Sequence, residues 1–180
     1  MNKKVVIIGG GTGTSTLVRG LKQFPVDISV VVSVFDDGKS TGKLREEFDI
    51  PAVGDIRKVI ASLSETEPLF ESLLEYRFKT DSDLNGHTVG NLLLTALCNI
   101  TGNLSKGIRS LSNVLNIKGK VLPLTEDNID LVGIMEDNSI IKGEHNITKS
   151  SKKIKNIKYN KTPKINPSVL KEIKNADMII

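Results

Sequence analysis

A run of four apolar residues that leads directly into a glycine-rich turn is the feature of this sequence that most restricts its fold. Residues 5–8 have the length and composition of a strand buried on both faces of a parallel sheet. Four of the next five residues are glycines, residues 15–24 are predicted as a helix, and residues 28–35 are predicted as a second buried strand. Together these segments predict a right-handed βαβ unit, which is the opening element of a Rossmann-like fold.

Helical periodicity dominates the middle of the chain. Apolar residues spaced i, i+3, i+4 and i+7 predict a helix that begins near Asp55, after a polar stretch at residues 39–49 that is predicted as a loop. A second helix, capped by Thr66, is predicted to turn its leucines and its phenylalanine inward. Residues 88–100 are apolar nearly all round, so we expect a central helix that is buried on most sides and packs on the sheet. Another amphipathic helix is predicted at residues 105–115.

β-Branched residues and short apolar runs replace this pattern later in the chain. Residues 119–159, with a turn at Asp137 and Asn138, predict a small antiparallel unit outside the main sheet. A short helix capped by Ser168 and a strand at residues 177–180 are predicted to return to the main sheet. The fold class is therefore α/β, a Rossmann-like three-layer fold with a mostly parallel sheet and a small β-rich appendage. The predicted division is a nucleotide-binding core at residues 1–118, the appendage at 119–164 and the return at 165–180.

Charge and composition exclude several classes of protein. Residues 1–141 hold 15 basic and 18 acidic side chains, whereas residues 142–180 hold 10 lysines and 3 acids. The lysine-rich part has Tyr159 as its one aromatic residue, so it lacks the stacking platform of a single-strand binder and is predicted to be solvated surface. No apolar run approaches the roughly 20 residues of a membrane helix, and the first residues lack a signal-peptide core. The sequence therefore indicates a cytoplasmic protein that neither spans a membrane nor binds nucleic acid, with Cys98 buried.

The turn after the first strand has the composition of an anion site. Backbone N–H groups at a helix start attract phosphate, and glycines allow it to approach closely. The spacing departs from a strict G-x-G-x-x-G because Thr14 stands at the last glycine position, and no Lys-Ser/Thr pair follows as in a P-loop. A tight turn without a ligand is the alternative interpretation. We predict phosphate binding by Gly10, Gly11, Thr12, Gly13 and Thr14, with the hydroxyls of Thr12, Thr14 and Ser15 as further donors.

Two acids follow the second predicted strand. Asp36 lies 27 residues after Gly9, and in dinucleotide folds an acid about 20 residues beyond the glycine turn holds the ribose hydroxyls. Asp36 and Asp37 can instead hold Mg²⁺ beside phosphates. The structural alternative is a plain turn, because Asp-Gly is a common turn dipeptide. We interpret both acids as ligand-binding residues.

Two helix starts carry further polar side chains. Asp55 is either an N-cap or a site residue, and Arg57 either reaches a phosphate or forms a surface salt bridge. His87, Gly90 and Asn91 cluster where a buried helix begins, which predicts a second anion site. His145 is interpreted as structural or surface. The sequence has no Ser-His-Asp arrangement, no cluster of metal-ligand spacing and no nucleophilic cysteine, so it predicts no catalytic residue.

Taken together, six motifs in one order resemble the gluconeogenesis factor (YvcK-like) family, within the superfamily of 2-phospho-L-lactate transferase (CofD-like) proteins. The resemblance covers about the first 120 residues, and the later β-rich stretch is also similar. Lys39 stands where the family often has glycine, and Val53 where proline is common. Members usually continue past a strand such as residues 178–180 into further α/β units, so the chain is expected to lack the family's C-terminal part. The matching motifs are residues 6–13, 36–45, 54–57, 64–69, 76–78 and 86–92.

What this resemblance implies divides into two branches. One branch is a non-catalytic regulator that binds a UDP-sugar and links carbon metabolism to cell-wall precursor supply and cell shape, and residues 65–69 and 76–78 are similar to that branch. It would act as a homo-oligomer, a dimer, with a metabolic enzyme as partner. The other branch is a 2-phospho-L-lactate transferase that acts on a deazaflavin with Mg²⁺. The first is favoured. An NAD(P)-dependent oxidoreductase and a nucleic-acid binder are the outside alternatives.

Overall fold

The computed structural model of the protein describes residues 2–65 and 68–180, and for Lys39 it describes the backbone alone. The strands are β1 Lys3–Gly9, β2 Val26–Val32, β3 Lys120–Pro123, β4 Leu131–Met135, β5 Ile140–Lys142, β6 Ile154–Tyr159 and β7 Met178–Ile179. The helices are α1 Gly11–Leu21, α2 Lys39–Phe48, α3 Gly54–Leu63, α4 Pro68–Glu75, α5 Val89–Thr101, α6 Leu104–Val114, α7 Glu144–Lys149 and α8 Pro167–Lys174.

The central sheet is parallel and has the strand order β3-β2-β1-β7. Val5 and Ile7 turn to one face, where they pack with α1, α3 and α6, and Val6 turns to the other face, where it meets Val31 and Val169 of α8. Because both faces are covered, the strands read as continuous apolar runs. This arrangement confirms the α/β class, the βαβ opening and the return of the final strand beside β1.

Helix α1 begins at Gly11, four residues earlier than predicted. Gly11 takes the positive φ of 72° at this start, a backbone conformation that favours glycine. The consequence is that Thr12, Gly13 and Thr14 lie inside the first turn of the helix instead of in a loop before it.

Residues 39–49, predicted as a loop, form helix α2, so that prediction was wrong. The segment is polar, but Ser40, Thr41, Leu44 and Arg45 are all buried by neighbouring elements. Tertiary contacts therefore stabilise a helix that its own composition does not favour. Asp49, in the left-handed conformation, ends it.

The apolar faces of α4 and α5 are covered less than predicted. In α4 the side chain of Leu74 is fully buried, whereas Leu69 is 78% exposed and Leu73 is also exposed. Helix α5 buries one side and leaves Leu93 and Ile100 exposed; it packs chiefly against α6 and α4 rather than on the sheet. The predicted cap Thr66 lies outside the described residues.

A second, antiparallel sheet has the order β5-β4-β6 and includes the predicted hairpin, where Asn138 adopts a positive φ of 62°. Two parts of the appendage prediction were wrong. Strand β3 belongs to the main sheet, beside β2, and α7 interrupts the β-rich segment. Residues 151–162, which include the exposed strand β6 and five lysines, are all exposed, as predicted for solvated surface.

Helix α8 is capped by Asn166, whose side chain accepts a hydrogen bond from the backbone N–H of Ser168 at 2.9 Å, so the predicted cap at Ser168 was displaced by two residues. Cys98 is buried, as predicted. Among residues 2–65 and 68–180, no helix combines the length and the apolar character needed to cross a membrane.

Candidate functional site

A polar cavity of about 280 Å³ lies beyond the carboxyl end of β2, where α2 and α3 begin. In a parallel sheet this end of the strands is where ligands bind, because the helices that follow start there. Three cationic side chains line the cavity, Arg57, Lys58 and Arg77, against one carboxylate, Asp36. Its lining is therefore net positive.

The two helix starts at this cavity have no side-chain cap among the described residues. Gly38 is the N-cap of α2 and Val53 is the N-cap of α3. Gly38 and Gly54 form part of the cavity wall. The first backbone N–H groups of a helix have no partner inside the helix, and they carry the positive end of its dipole. Both starts can therefore donate to an anion in the cavity.

Arg57 is the most unusual side chain of the site, because it is only 6% exposed yet incompletely hydrogen-bonded. Within residues 2–65 and 68–180, neither its Nε nor its Nη1 has a hydrogen-bond partner. The nearest carboxylate is that of Glu75, 3.8 Å from Nη1. Burial lowers the pKa of Arg57 from its ordinary value, and the charge of Glu75 opposes that shift. A guanidinium remains charged under these conditions.

Asn91 stands beside Arg57 on the cavity wall and is also buried. Its Nδ2 donates to the hydroxyl oxygen of Thr41 at 3.4 Å, whereas its Oδ1 has no partner in the described part of the chain. Gly90, next to it, has a packing role: a Cβ at this position would lie 2.6 Å from Cδ of Arg57. The sequence-predicted residues Asp36, Arg57 and Asn91 are thus brought together, with Gly90 behind them.

The glycine turn lies next to Asp55. A Cβ on Gly10 would be 2.6 Å from Oδ2 of Asp55, whose Oδ1 accepts an ion-paired hydrogen bond from Lys58 at 2.9 Å. The hydroxyl of Thr14 donates to the carbonyl of Gly10 at 3.2 Å, and that of Ser15 donates to a carbonyl one turn back in the same way. The donors expected from these hydroxyls are therefore engaged inside the helix.

Asp36 lines this cavity, whereas Asp37 lines a neighbouring one, and both approach the start of α7. Asp36 accepts a hydrogen bond from the backbone N–H of Gly38 at 2.8 Å, and Asp37 accepts one from that of His145 at 2.8 Å. Carboxylate oxygens of Asp36, Asp37 and Glu144 lie within 4.8 Å of one another. Oxygen ligands at this spacing suit a hard cation such as Mg²⁺.

Glu144 and His145 were missed by sequence reasoning, which interpreted His145 as structural or surface. His145 lines the cavity together with Asp36 and Arg57. Nothing in the local sequence identifies either residue, because α7 reaches Asp37 through a tertiary contact between residues 108 positions apart in the chain.

His87, in contrast, lies in a different cavity, lined also by Lys43, Glu46, Glu47 and Asp83. Burial, followed by the charge of Lys43, lowers the pKa of His87 from its ordinary value. The structure thus separates His87 from Asn91, although the two are only four residues apart in the chain.

A parallel sheet with helices on both faces and a cation-lined cavity beyond a strand's carboxyl end defines a Rossmann-like α/β protein with an anion-suited crevice. More specifically, the chain belongs to the CofD family: the family model described as 2-phospho-L-lactate transferase CofD matches residues 5–180. This finding confirms the resemblance inferred from the sequence motifs.

Similar proteins agree with this placement. The gluconeogenesis factor of Halalkalibacterium halodurans is 50% identical over 181 residues, covering 99% of this chain and 56% of its own length. That of Bacillus subtilis is 46% identical over 179 residues, covering 98% of this chain and 56% of its own length. A crystal structure of a Bacillus halodurans protein superposes with a TM-score of 0.96 at 49% identity, covering 99% of this chain and 58% of that one. The chain spans just over half the length of these relatives.

Proposed function

We propose that this chain is the nucleotide-sugar-binding part of a regulatory protein of the gluconeogenesis factor group. In this proposal it binds a UDP-sugar without transforming it, and so links carbon metabolism to cell-wall precursor supply and cell shape. The similar proteins are named gluconeogenesis factors, which supports placing the chain in that group. The absence of a nucleophile-and-base pair among the sequence motifs supports binding over catalysis.

The observation that carries the proposal is the cation-lined cavity with two helix starts that no side chain of the described residues caps. A diphosphate presents several charged oxygens, and buried N–H donors and cations bind such groups far better than they bind a neutral ligand. Arg57, Lys58 and Arg77 face the phosphates in this assignment. Asp36, alone or together with Asp37, accepts hydrogen bonds from the ribose hydroxyls.

We assign the glycine turn to the same binding site, where it forms one wall of the crevice around the ligand. Helix α1 starts with Gly11, Thr12 and Gly13, and no side chain of the described residues caps the backbone N–H groups at this start. Asp55 lies against this turn and repels a bare phosphate there, so we assign Gly10 to Thr14 to a neutral, hydroxyl-bearing part of the ligand.

A 2-phospho-L-lactate transferase that acts on a deazaflavin is the second candidate function. The description of the family model favours it, and so does the carboxylate cluster of Asp36, Asp37 and Glu144, which fits Mg²⁺. When bound there, Mg²⁺ would neutralise charge on phosphate oxygens. The residues of this chain would hold the ion through those three carboxylates.

Calorimetric titration of the protein with UDP-, GDP- and ADP-linked sugars tests the proposal. We expect a UDP-sugar to bind, and Asp36→Asn to weaken it roughly 10-fold or more, because a charged acceptor is lost. Asp27→Asn is the matched control, since Asp27 is exposed at the opposite end of β2. Folded protein that binds no nucleotide sugar contradicts the proposal. A phospholactyl transfer from a nucleotide-activated donor to a deazaflavin that requires Asp37 would establish the second candidate instead.

The proposal also places the protein in the cytoplasm, as a homodimer with a metabolic enzyme as partner. Leu69 and Leu73, one helical turn apart on α4, are exposed together with Tyr76, which directly follows the helix, and such an exposed apolar surface supports self-association. Sedimentation velocity tests the dimer. Leu69→Glu should shift the population to monomer, and a monomeric parent protein would refute the assignment.

A further inference from the structure

Among the features of this structure, the unmade hydrogen bonds of Arg57 give the strongest indication that a ligand group binds in the cavity. Leaving a buried charged donor unsatisfied is costly, and native proteins rarely do so without a functional reason. Arg57 leaves two of its nitrogens, Nε and Nη1, without a partner among the described residues, and it lines the cavity at the carboxyl end of β2.

The stem of Arg57 is held in place by the backbone around it. The position of a Cβ at Gly90 would fall 2.7 Å from Cγ of Arg57 and 2.8 Å from the carbonyl oxygen of Leu74, so α4, α5 and the arginine stem meet in a space that only a glycine leaves open. A stem packed this closely loses its freedom when the protein folds. A guanidinium fixed in advance binds an anion without the additional entropic cost of ordering its side chain.

Glu75 is a poor partner for this guanidinium. Its carboxylate lies 3.8 Å from Nη1, which is beyond hydrogen-bond distance, and its side chain is 53% exposed at the end of α4. The cavity offers a ligand much more: Asn91 Oδ1 has no partner, Lys58 and Arg77 add charge, and α2 and α3 begin there without side-chain caps in the described chain.

We propose that Arg57, with Asn91 beside it, forms a subsite for one phosphoryl group, and that Glu75 competes with that group for the guanidinium. The inference rests on the proposed function because it names a subsite of the same cavity. A tetrahedral phosphoryl group supplies several acceptors for Arg57 and, when it carries a proton or an adjoining hydroxyl, a donor for Asn91.

The competition gives the proposal a signed test. Calorimetry with inorganic pyrophosphate should show roughly 10–100-fold weaker binding for Arg57→Gln, since charge-assisted hydrogen bonds are lost. Arg57→Lys keeps the charge and loses the planar fork, so we expect an intermediate loss. Glu75→Gln removes the competitor and should tighten binding about 2–5-fold, the range of a partly exposed ion pair. Glu71→Gln, one turn earlier on α4 and paired with Arg19, is the matched control and should leave affinity unchanged.

Three further comparisons decide the outcome. If Arg57→Gln does not fold, as judged by circular dichroism, Arg57→Lys and Glu75→Gln still report on the subsite. Unchanged pyrophosphate affinity in Arg57→Lys together with unchanged or weaker affinity in Glu75→Gln would show that Arg57 is structural. Malonate that binds as tightly as pyrophosphate would make this a carboxylate site and overturn the phosphoryl assignment.

The two proposals fail separately. If the parent protein binds a UDP-sugar and neither Arg57→Lys nor Glu75→Gln alters that affinity, the nucleotide-sugar proposal stands and the subsite is refuted. If no nucleotide sugar binds but pyrophosphate binds with the expected dependence on Arg57 and Glu75, the subsite stands and the ligand assignment is wrong.

Discussion

Replacing Arg45 by leucine should destabilise the protein strongly, because this side chain joins the core to the chain that leads into the antiparallel sheet. Arg45 lies on α2 and is only 4% exposed. Its Nη2 donates to Asn128 Oδ1 at 2.7 Å, to the carbonyl of Ile129 at 2.8 Å and to Asp130 Oδ1 at 3.1 Å, and its Nε also donates to Asn128 at 3.2 Å. Leucine would remove this donor from the buried carbonyl of Ile129 and from the half-buried amide of Asn128.

The magnitude follows from the burial of each partner. Removing one member of a buried ionic network costs about 3–5 kcal/mol. The carboxylate of Asp130 is 44% exposed and can be rehydrated, so the lower end, about 3 kcal/mol, applies. For a chain of this size that lowers the melting temperature by roughly 6–12 °C. Thermal unfolding followed by circular dichroism measures it, with Arg19→Leu, an exposed ion-paired arginine, as a control within about 1 kcal/mol of the parent. A loss below about 1 kcal/mol for Arg45→Leu would refute this account of the network.

Two further predictions concern the packing of two glycines and the reactivity of a buried thiol. Gly42→Ala should cost about 1–3 kcal/mol in urea unfolding, because the added Cβ would overlap the carbonyl oxygen of Asp37. Gly13→Ala, in open space on α1, should instead be neutral or stabilising by up to about 1 kcal/mol; equal effects at the two positions would contradict the packing. Burial raises the pKa of the Cys98 thiol to about 11, so iodoacetamide at pH 9 should label it only after unfolding. Because the folded pKa is the higher one, its contribution to stability is present below about pH 9 and lost as the pH rises toward 11; rapid labelling of native protein would contradict this.

The β1–α1–β2 opening of the parallel sheet could be predicted because its determinants are local, whereas the place of β3 beside β2 was missed. Continuous apolar runs mark β1 and β2, glycines follow β1, and a helix between two strands requires a parallel crossover. The hairpin between β4 and β5 was predictable for the same reason, since Asn138 has the conformation its turn requires. In each case the residues that decide the structure are neighbours in the chain.

Helix α2 and its contacts with the segment before β4 were not predictable in this way. Their stability depends on Arg45 and its partners, which are more than 80 residues away. A still larger separation, 108 residues between Asp37 and His145, hid Glu144 and His145 from sequence reasoning. Arg57 was named as a candidate, but a periodic pattern cannot distinguish a surface salt bridge from a buried guanidinium whose nitrogens lack partners.

The position of Asp55 explains why the glycine turn, the strongest sequence motif, does not coincide with the cavity that is best suited to an anion. The glycine turn has the backbone of a phosphate site, but the carboxylate of Asp55 lies against Gly10 and already places a negative charge beside the start of α1. Lys58 pairs with that carboxylate on one side and lines the cavity on the other. A negatively charged ligand group is therefore disfavoured at the turn, and in our proposal it binds beside Arg57 instead. An Asp55→Asn variant should consequently bind pyrophosphate at the turn in addition to the cavity, so that calorimetry gives two bound pyrophosphates per chain. A stoichiometry that stays at one would show that the turn is not an anion site even when the carboxylate is neutralised.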